Sequence, residues 1–202
     1  MNNYLELVNS VIINKKNHLI SSDSSLKLVG TGRSAFVFRI QSSSKAIKVF
    51  FPNSAYIAEE ESEIYNLLQE VDYFPTIYES GLNYIVMDYI EGHTLFECMT
   101  HGIHITSDHI KETDYALSLA SELGLNPSDI HLRNIIITPN NKIKLIDVAR
   151  YRQQKNCKQW RDLKKAHHQF YCKRFFLKKI PYSFLNIVAF LYKKGLIPFY
   201  RL

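Results

Sequence analysis

Between Asn126 and Arg150 the chain runs through Asp129, His131, Arg133 and Asn134 into the apolar run Ile135-Ile136-Ile137, turns at Pro139-Asn140-Asn141, and returns through Ile143 and Leu145 to Asp147. Two short apolar runs around a proline- and asparagine-containing turn predict a β-hairpin. The hairpin constrains the rest of the chain because its polar ends carry chemistry. A carboxylate and a carboxamide sit five residues apart on the loop before it, and a second carboxylate stands at the end of the returning strand. Such a set can hold a metal ion and orient a hydroxyl toward a phosphate. A hairpin whose polar ends are merely solvated would read the same way, so the remainder of the chain has to decide.

At 202 residues the chain is long enough to bury a real core, in one domain or in two small lobes. Its 46% hydrophobic and 22% charged content is that of a folded protein. Cys98, Cys157 and Cys172 form no CxxC pair and are odd in number, which points to a reducing compartment rather than to a disulfide frame or a zinc site. No basic stretch leads into an apolar one after Met1, and no apolar run has bilayer-spanning length, so a cytoplasmic protein is expected. Charge is divided unevenly. Residues 150–202 hold fourteen Lys or Arg and one acid, Asp162, a balance of +13, while residues 1–149 hold eleven basic and eighteen acidic residues, a balance of −7. The tail is therefore the expected contact for an anionic partner.

In chain order, residues 1–20 predict a short helix or strand carrying Leu5, Leu7, Val8, Val11, Ile12 and Ile13, followed by a serine-rich loop. Apolar residues on both sides of Gly30 and Gly32 predict two strands joined by a turn, where glycine permits close backbone approach and N–H groups can cover a phosphate chain. A strand, not a helix, follows these glycines, which disfavours a dinucleotide-binding fingerprint. Lys48 lies inside the strand Ala46 to Phe51, on the face of Ala46 and Phe50. It is either solvated on an open face or aimed into a cleft. The span 56–71 has helical period, with Ile57, Ile64, Leu68 and Val71 on one stripe and Glu61 inside that stripe. An inward glutamate requires a partner, and Lys48 is the candidate. Two further strands follow, the second ending in Met87-Asp88-Tyr89-Ile90 before a glycine-marked linker at Gly92. A helix is expected over 106–123, capped by Thr106 or Ser107 and closed at Gly124.

This order of glycine turn, lysine strand, glutamate helix, linker, Asp-x4-Asn loop and Asp strand resembles the protein-kinase superfamily over residues 26–150. Gly30, Gly32, Ala35 and Val37 are similar to its glycine-rich loop, Lys48 to the lysine that holds nucleotide phosphates, and Glu61 to the helix glutamate that orients that lysine. Met87 resembles the gatekeeper, with the Asp88 and Ile90 backbone placed to read adenine. Asp129 resembles the catalytic base, and Asn134 and Asp147 the metal ligands. The resemblance implies an α+β, two-lobed protein-kinase-like fold, with an N-lobe at 1–90 and a compact, mainly helical C-lobe at 91–202. It also implies ATP and Mg²⁺ as ligands. The expected function is transfer of the γ-phosphoryl group to a hydroxyl, with protein Ser/Thr as the acceptor; the alternatives are a small-molecule or lipid-linked sugar kinase, or a non-catalytic nucleotide-binding pseudokinase.

Departures limit what carries over. Pro127-Ser128 replaces the His-Arg pair before the base, so control by a phosphorylated activation loop is not expected. His131 makes the loop Asp-x-His-x-x-Asn, which resembles aminoglycoside, choline and lipopolysaccharide-core kinases, and Arg133 resembles the tyrosine-kinase loop. Ala35 stands at the third loop glycine, and Asp147-Val148-Ala149 replaces Asp-Phe-Gly. Only 55 residues follow Asp147, hence the expectation of a truncated helical C-lobe. Asp162 either braces the catalytic loop or is a surface helix acid. The aromatics from Trp160 to Tyr200 are expected mainly to form the small lobe's core. Their interleaved cations also suit an anionic partner or membrane surface, which would make the protein peripheral there; nothing marks the tail for nucleic acid.

Overall fold

The computed structural model describes residues 4–154 and 157–197; the expectations placed on Phe199, Tyr200 and Arg201 lie outside the described residues. Helix α1 (Tyr4–Ser10) and the small hairpin of β1 (Ile12–Ile13) and β2 (Leu19–Ser21) precede a five-stranded antiparallel sheet. Its strands are β3 (Leu26–Thr31), β4 (Ala35–Ile40), β5 (Lys45–Phe50), β6 (Ile77–Gly81) and β7 (Tyr84–Asp88), in the spatial order β3-β4-β5-β7-β6. Helix α2 (Tyr56–Leu67) crosses between β5 and β6.

Strand alternation divides this sheet into two apolar faces. Phe36, Phe38, Ile47, Val49 and Val86 share one cluster with Val8 of α1. Ala35, Phe50, Ile85 and Met87 face the other way, against Ala58, Ile64, Tyr65 and Leu68 from α2 and the turn after it. That second cluster does not stop at the sheet. It continues through Phe74 into Leu95, Ala116, Ile135, Leu145, Tyr151 and Trp160 of the helical part.

The helical part begins where the chain crosses at Gly92. Its φ of +141° and the 2.3 Å that would separate an added Cβ from the Ile137 carbonyl oxygen leave room for glycine alone. Strand β8 (His93–Thr94) then joins β9 (Ile135–Ile137) and β10 (Ile143–Leu145) in a three-stranded antiparallel sheet, order β10-β9-β8. Helices α3 (Leu95–His101) and α4 (Ser107–Glu122) lie between β8 and β9, and α5 (Gln159–Ala166), a π turn (His167–Tyr171) and α6 (Tyr182–Lys193) follow β10. Thr106 caps α4, accepting from the His109 N–H at 3.3 Å while His109 Nδ1 accepts from the Thr106 N–H at 3.1 Å.

The tail departs from expectation. Trp160 and Tyr171 are buried, but Phe175, Tyr182, Phe184 and Phe190 are more than half exposed. Among the described residues no further layer of chain covers α6, so its aromatics are not core. Among the described residues Asp162 does not reach the loop from Asp129 to Asn134; it accepts the Tyr192 hydroxyl at 2.8 Å and so ties α5 to α6.

Candidate active site

Lys48 sits in mid-strand on the α2 side of the sheet, paired in register with Val37 and Ile85. Its Nζ lies 2.7 Å from both Glu61 carboxylate oxygens and 3.1 Å from Asp147 Oδ1. Glu61 is wholly buried and Lys48 is 8% exposed, so the pair occupies the low-dielectric interior. Burial penalises the Lys48 cation, but Glu61 and Asp147 outweigh that penalty and hold its pKa above the ordinary lysine value. Desolvation pushes the Glu61 carboxyl up to about 7, against the pull of Lys48. With one ammonium bridging two carboxylates at hydrogen-bond distance, the ionised arrangement is the one the geometry fits.

Asp147 arrives at the end of β10 with φ +63°, a left-handed backbone that a non-glycine residue adopts only under constraint. The constraint is Tyr65, whose hydroxyl oxygen accepts the Asp147 N–H at 3.1 Å. Tyr65 is one helical turn after Glu61 on the buried side of α2, so a single helix positions both the partner of Lys48 and the backbone of Asp147. Lys48 holds the Asp147 carboxyl below its ordinary range, although burial opposes this. Sequence reasoning missed Tyr65. The i+4 spacing from Glu61 was the available signal.

Asp129 also has a left-handed backbone, φ +60°. Asn134, itself buried, donates from Nδ2 to the Asp129 carbonyl at 3.2 Å, and its N–H reaches the His131 carbonyl at 2.9 Å, which closes the loop on itself. The Ile146 N–H then bonds the Asn134 carbonyl at 2.9 Å, joining the loop to the approach of Asp147. Burial lowers the His131 pKa, Asp129 and Asp147 partly opposing, so the ring is neutral at neutral pH; its Nδ1 accepts the Arg133 N–H at 3.3 Å.

Two arginines that sequence reasoning did not single out meet Asp129. Arg33 Nη2, from the glycine turn, lies 3.0 Å from Asp129 Oδ2, and Arg150 Nε lies 3.4 Å from the same oxygen. The turn that carries Arg33 is tight: the Gly32 N–H bonds the Ala35 carbonyl at 2.9 Å, and Gly30 packs on Val37, where an added Cβ would come within 3.4 Å. Across the sheet, Met87 is buried on the Lys48 face in register with Ala46. The Asp88 N–H and carboxylate are committed to Thr76 and Tyr78, whereas the Ile90 N–H has no backbone partner among the described residues. Lys48, Glu61 and Asp147 are thus brought into direct contact, Asn134 joins Asp129, and Arg33 spans from the glycine turn to Asp129.

No family model matches the chain. Over 171 residues, 84% of this chain and 80% of the relative, it is 49% identical to a Bacillus subtilis (strain 168) protein named "Putative serine/threonine-protein kinase YrzF". The chain belongs to that kinase-like family. Its mixed α/β architecture, with a multi-stranded sheet and six α-helices among the described residues, agrees with this membership.

Proposed function

We propose that this chain is a two-lobed, Mg²⁺-dependent ATP phosphotransferase, with residues 1–90 as the nucleotide-binding lobe and 91–202 as the lobe of the catalytic loop. The acceptor we propose is a hydroxyl, with protein Ser/Thr as the preferred class, in line with the name of the Bacillus subtilis relative. The observation that carries the reading is the Lys48 ammonium held between buried Glu61 and Asp147. A lysine buried in mid-strand and fixed by two carboxylates is arranged to receive a polyanion, and phosphoryl transfer depends mainly on such positioning and charge neutralisation.

Gly30, Gly32, Ala35 and Val37 would line the phosphate side of the nucleotide, and Met87 with the Asp88 and Ile90 backbone its base. Asp147 and Asn134 would hold Mg²⁺. The donor set fits that ion: one carboxylate and one carboxamide are too few for an all-protein cage, and no cluster of three or more His, Cys, Asp or Glu forms a metal site among the described residues. Magnesium characteristically keeps waters and takes phosphate oxygens beside one or two protein ligands. When bound, it supplies neutralisation of phosphate charge. Asp129 would accept the hydrogen bond of the attacking hydroxyl and orient it. Arg33 occupies that carboxylate and has to swing away. Its side chain is 71% exposed, so water can take up the guanidinium as it leaves, although Asp129 is only 23% exposed.

The test is transfer of labelled γ-phosphate to protein, peptide and small hydroxyl acceptors with Mg²⁺ present. Wild type is expected to transfer, and Asp129→Ala to lose at least about 10²-fold in rate. No Mg-dependent transfer to any acceptor would sink the proposal. The pairing of Asp129 with Arg33 and Arg150 favours one second reading, a non-catalytic nucleotide-binding module. That reading expects ATP to raise the melting temperature of wild type and Asp129→Ala equally, with no transfer by either.

A further inference from the structure

The segment after α5 supplies no partner to Lys48, Glu61, Asp129 or Asp147 among the described residues, and its surface is unusual. From Leu163 onward the chain contains no acidic residue, while Lys173, Arg174, Lys178 and Lys179 precede α6, Lys193 ends it and Lys194 follows it. The helix is apolar inside and out. Leu185 is buried with Phe96 and Ile180, whereas Phe184, Ile187 and Phe190, at the i, i+3, i+6 spacing of one helix face, are 56%, 56% and 59% exposed. Phe175 and Leu177 before the helix, and Leu196 after it, are more exposed still. Beneath α6 lies a cavity of about 640 Å³ lined by apolar groups including Phe96, Leu132, Leu163 and Leu185. Ile187 and Phe190 do not line that cavity and present an apolar surface to solvent, while Phe184, although 56% exposed, also lines it.

A single occupant satisfies both the cations and the apolar stripe. An anionic lipid surface accepts an in-plane helix with its apolar face in the acyl boundary and lysines at the headgroups. A second copy docked face to face through α6 would bring like charge against like charge. At 12 residues α6 is about 18 Å long, too short to cross a bilayer, and no helix among the described residues is long and apolar enough to span one. We propose that α6 and its flanking lysines and arginines dock the protein on an anionic membrane surface. Docking would also place the catalytic loop close to the lipid, because Arg133 donates to Asn186 of α6 at 3.1 Å and stacks on Phe96 at 3.5 Å.

The experiment is co-sedimentation of the full chain with phosphatidylcholine vesicles and with vesicles that also contain phosphatidylglycerol. Binding to the anionic vesicles is expected to exceed binding to the neutral ones by at least about tenfold, and to weaken with salt. The triple variant Phe184→Ser, Ile187→Asn, Phe190→Ser is expected to lose binding while keeping the wild-type circular dichroism spectrum. Should that variant misfold, Lys193→Glu with Lys194→Glu, at exposed positions past the apolar face, decides: it is expected to bind anionic vesicles at least about tenfold more weakly. Equal binding of wild type to both vesicle types, or unchanged binding by the charge-reversed variant, overturns the proposal. So does a concentration-dependent dimer in ultracentrifugation in place of vesicle binding.

Discussion

A wholly buried carboxylate survives in a fold only with its counter-charge, and Glu61 has one, the Lys48 ammonium at 2.7 Å. Removing one partner of such a pair leaves a charge that neither water nor protein solvates, at a cost of about 3–5 kcal/mol. Lys48→Ala is therefore expected to lower unfolding free energy in urea by about that amount. The loss should also depend on pH. Without Lys48 the Glu61 pKa, already raised by burial, rises further. A carboxyl whose folded pKa exceeds its unfolded value is stable when protonated, below about pH 4.3, and loses that stability as pH rises through the folded pKa. The variant should accordingly fall further below wild type at pH 8 than at pH 5. A double variant, Lys48→Met with Glu61→Leu, removes both charges and should recover most of the loss. A urea midpoint for Lys48→Ala equal to wild type at both pH values would contradict this account of the pair.

Secondary structure was legible wherever a local rule wrote it. The glycine turn between β3 and β4, the inward Glu61 of α2, the Ile135 and Ile143 hairpin and the N-cap of α4 are all short-range patterns. Helix α3 was overlooked although its start carries a capping box, Thr94 accepting from the Glu97 N–H at 3.1 Å while the Glu97 carboxylate accepts the Thr94 N–H at 2.8 Å. That Thr-x-x-Glu signature stands in the sequence. By contrast, no local pattern could place Arg33 or Arg150 on Asp129, because contacts across 96 residues depend on how the sheet and the loop are brought together. Exposure of the tail aromatics was hidden for a similar reason: composition says which residues are apolar, not whether anything covers them. For α4 the cap itself can be tested. Thr106 satisfies an otherwise orphaned N–H at the start of a 16-residue helix, so Thr106→Ala should lower the unfolding free energy in urea by about 1 kcal/mol. A change within about 0.2 kcal/mol would mean that water replaces the cap at no cost.

At the scale of the molecule, residues 1–149 carry a balance of −7 and residues 150–202 one of +13, yet the sheet and the helical part are not energetically separate. One apolar cluster runs from Phe50 and Met87 to Tyr151 and Trp160. Polar bonds cross the same boundary: Lys48 to Asp147, the Asp147 N–H to Tyr65, the Leu145 N–H to the Tyr73 carbonyl at 2.8 Å, and Arg152 to Glu63. Opening the two parts would expose that shared core and strip Asp147 of Lys48 and Tyr65, both held from the sheet side, so neither part should remain folded when the other unfolds. Trp160, the chain's one tryptophan, is buried in α5 with its indole N–H on Asp114 at 2.7 Å, and so reports on the helical part alone. Far-UV circular dichroism reports on both parts. In urea the two signals should give one coincident transition, as expected for a single cooperative unit. A Trp160 transition at clearly lower urea than the circular dichroism midpoint would show that the helical part melts first, and that the cluster joining it to the sheet contributes little to holding the two together.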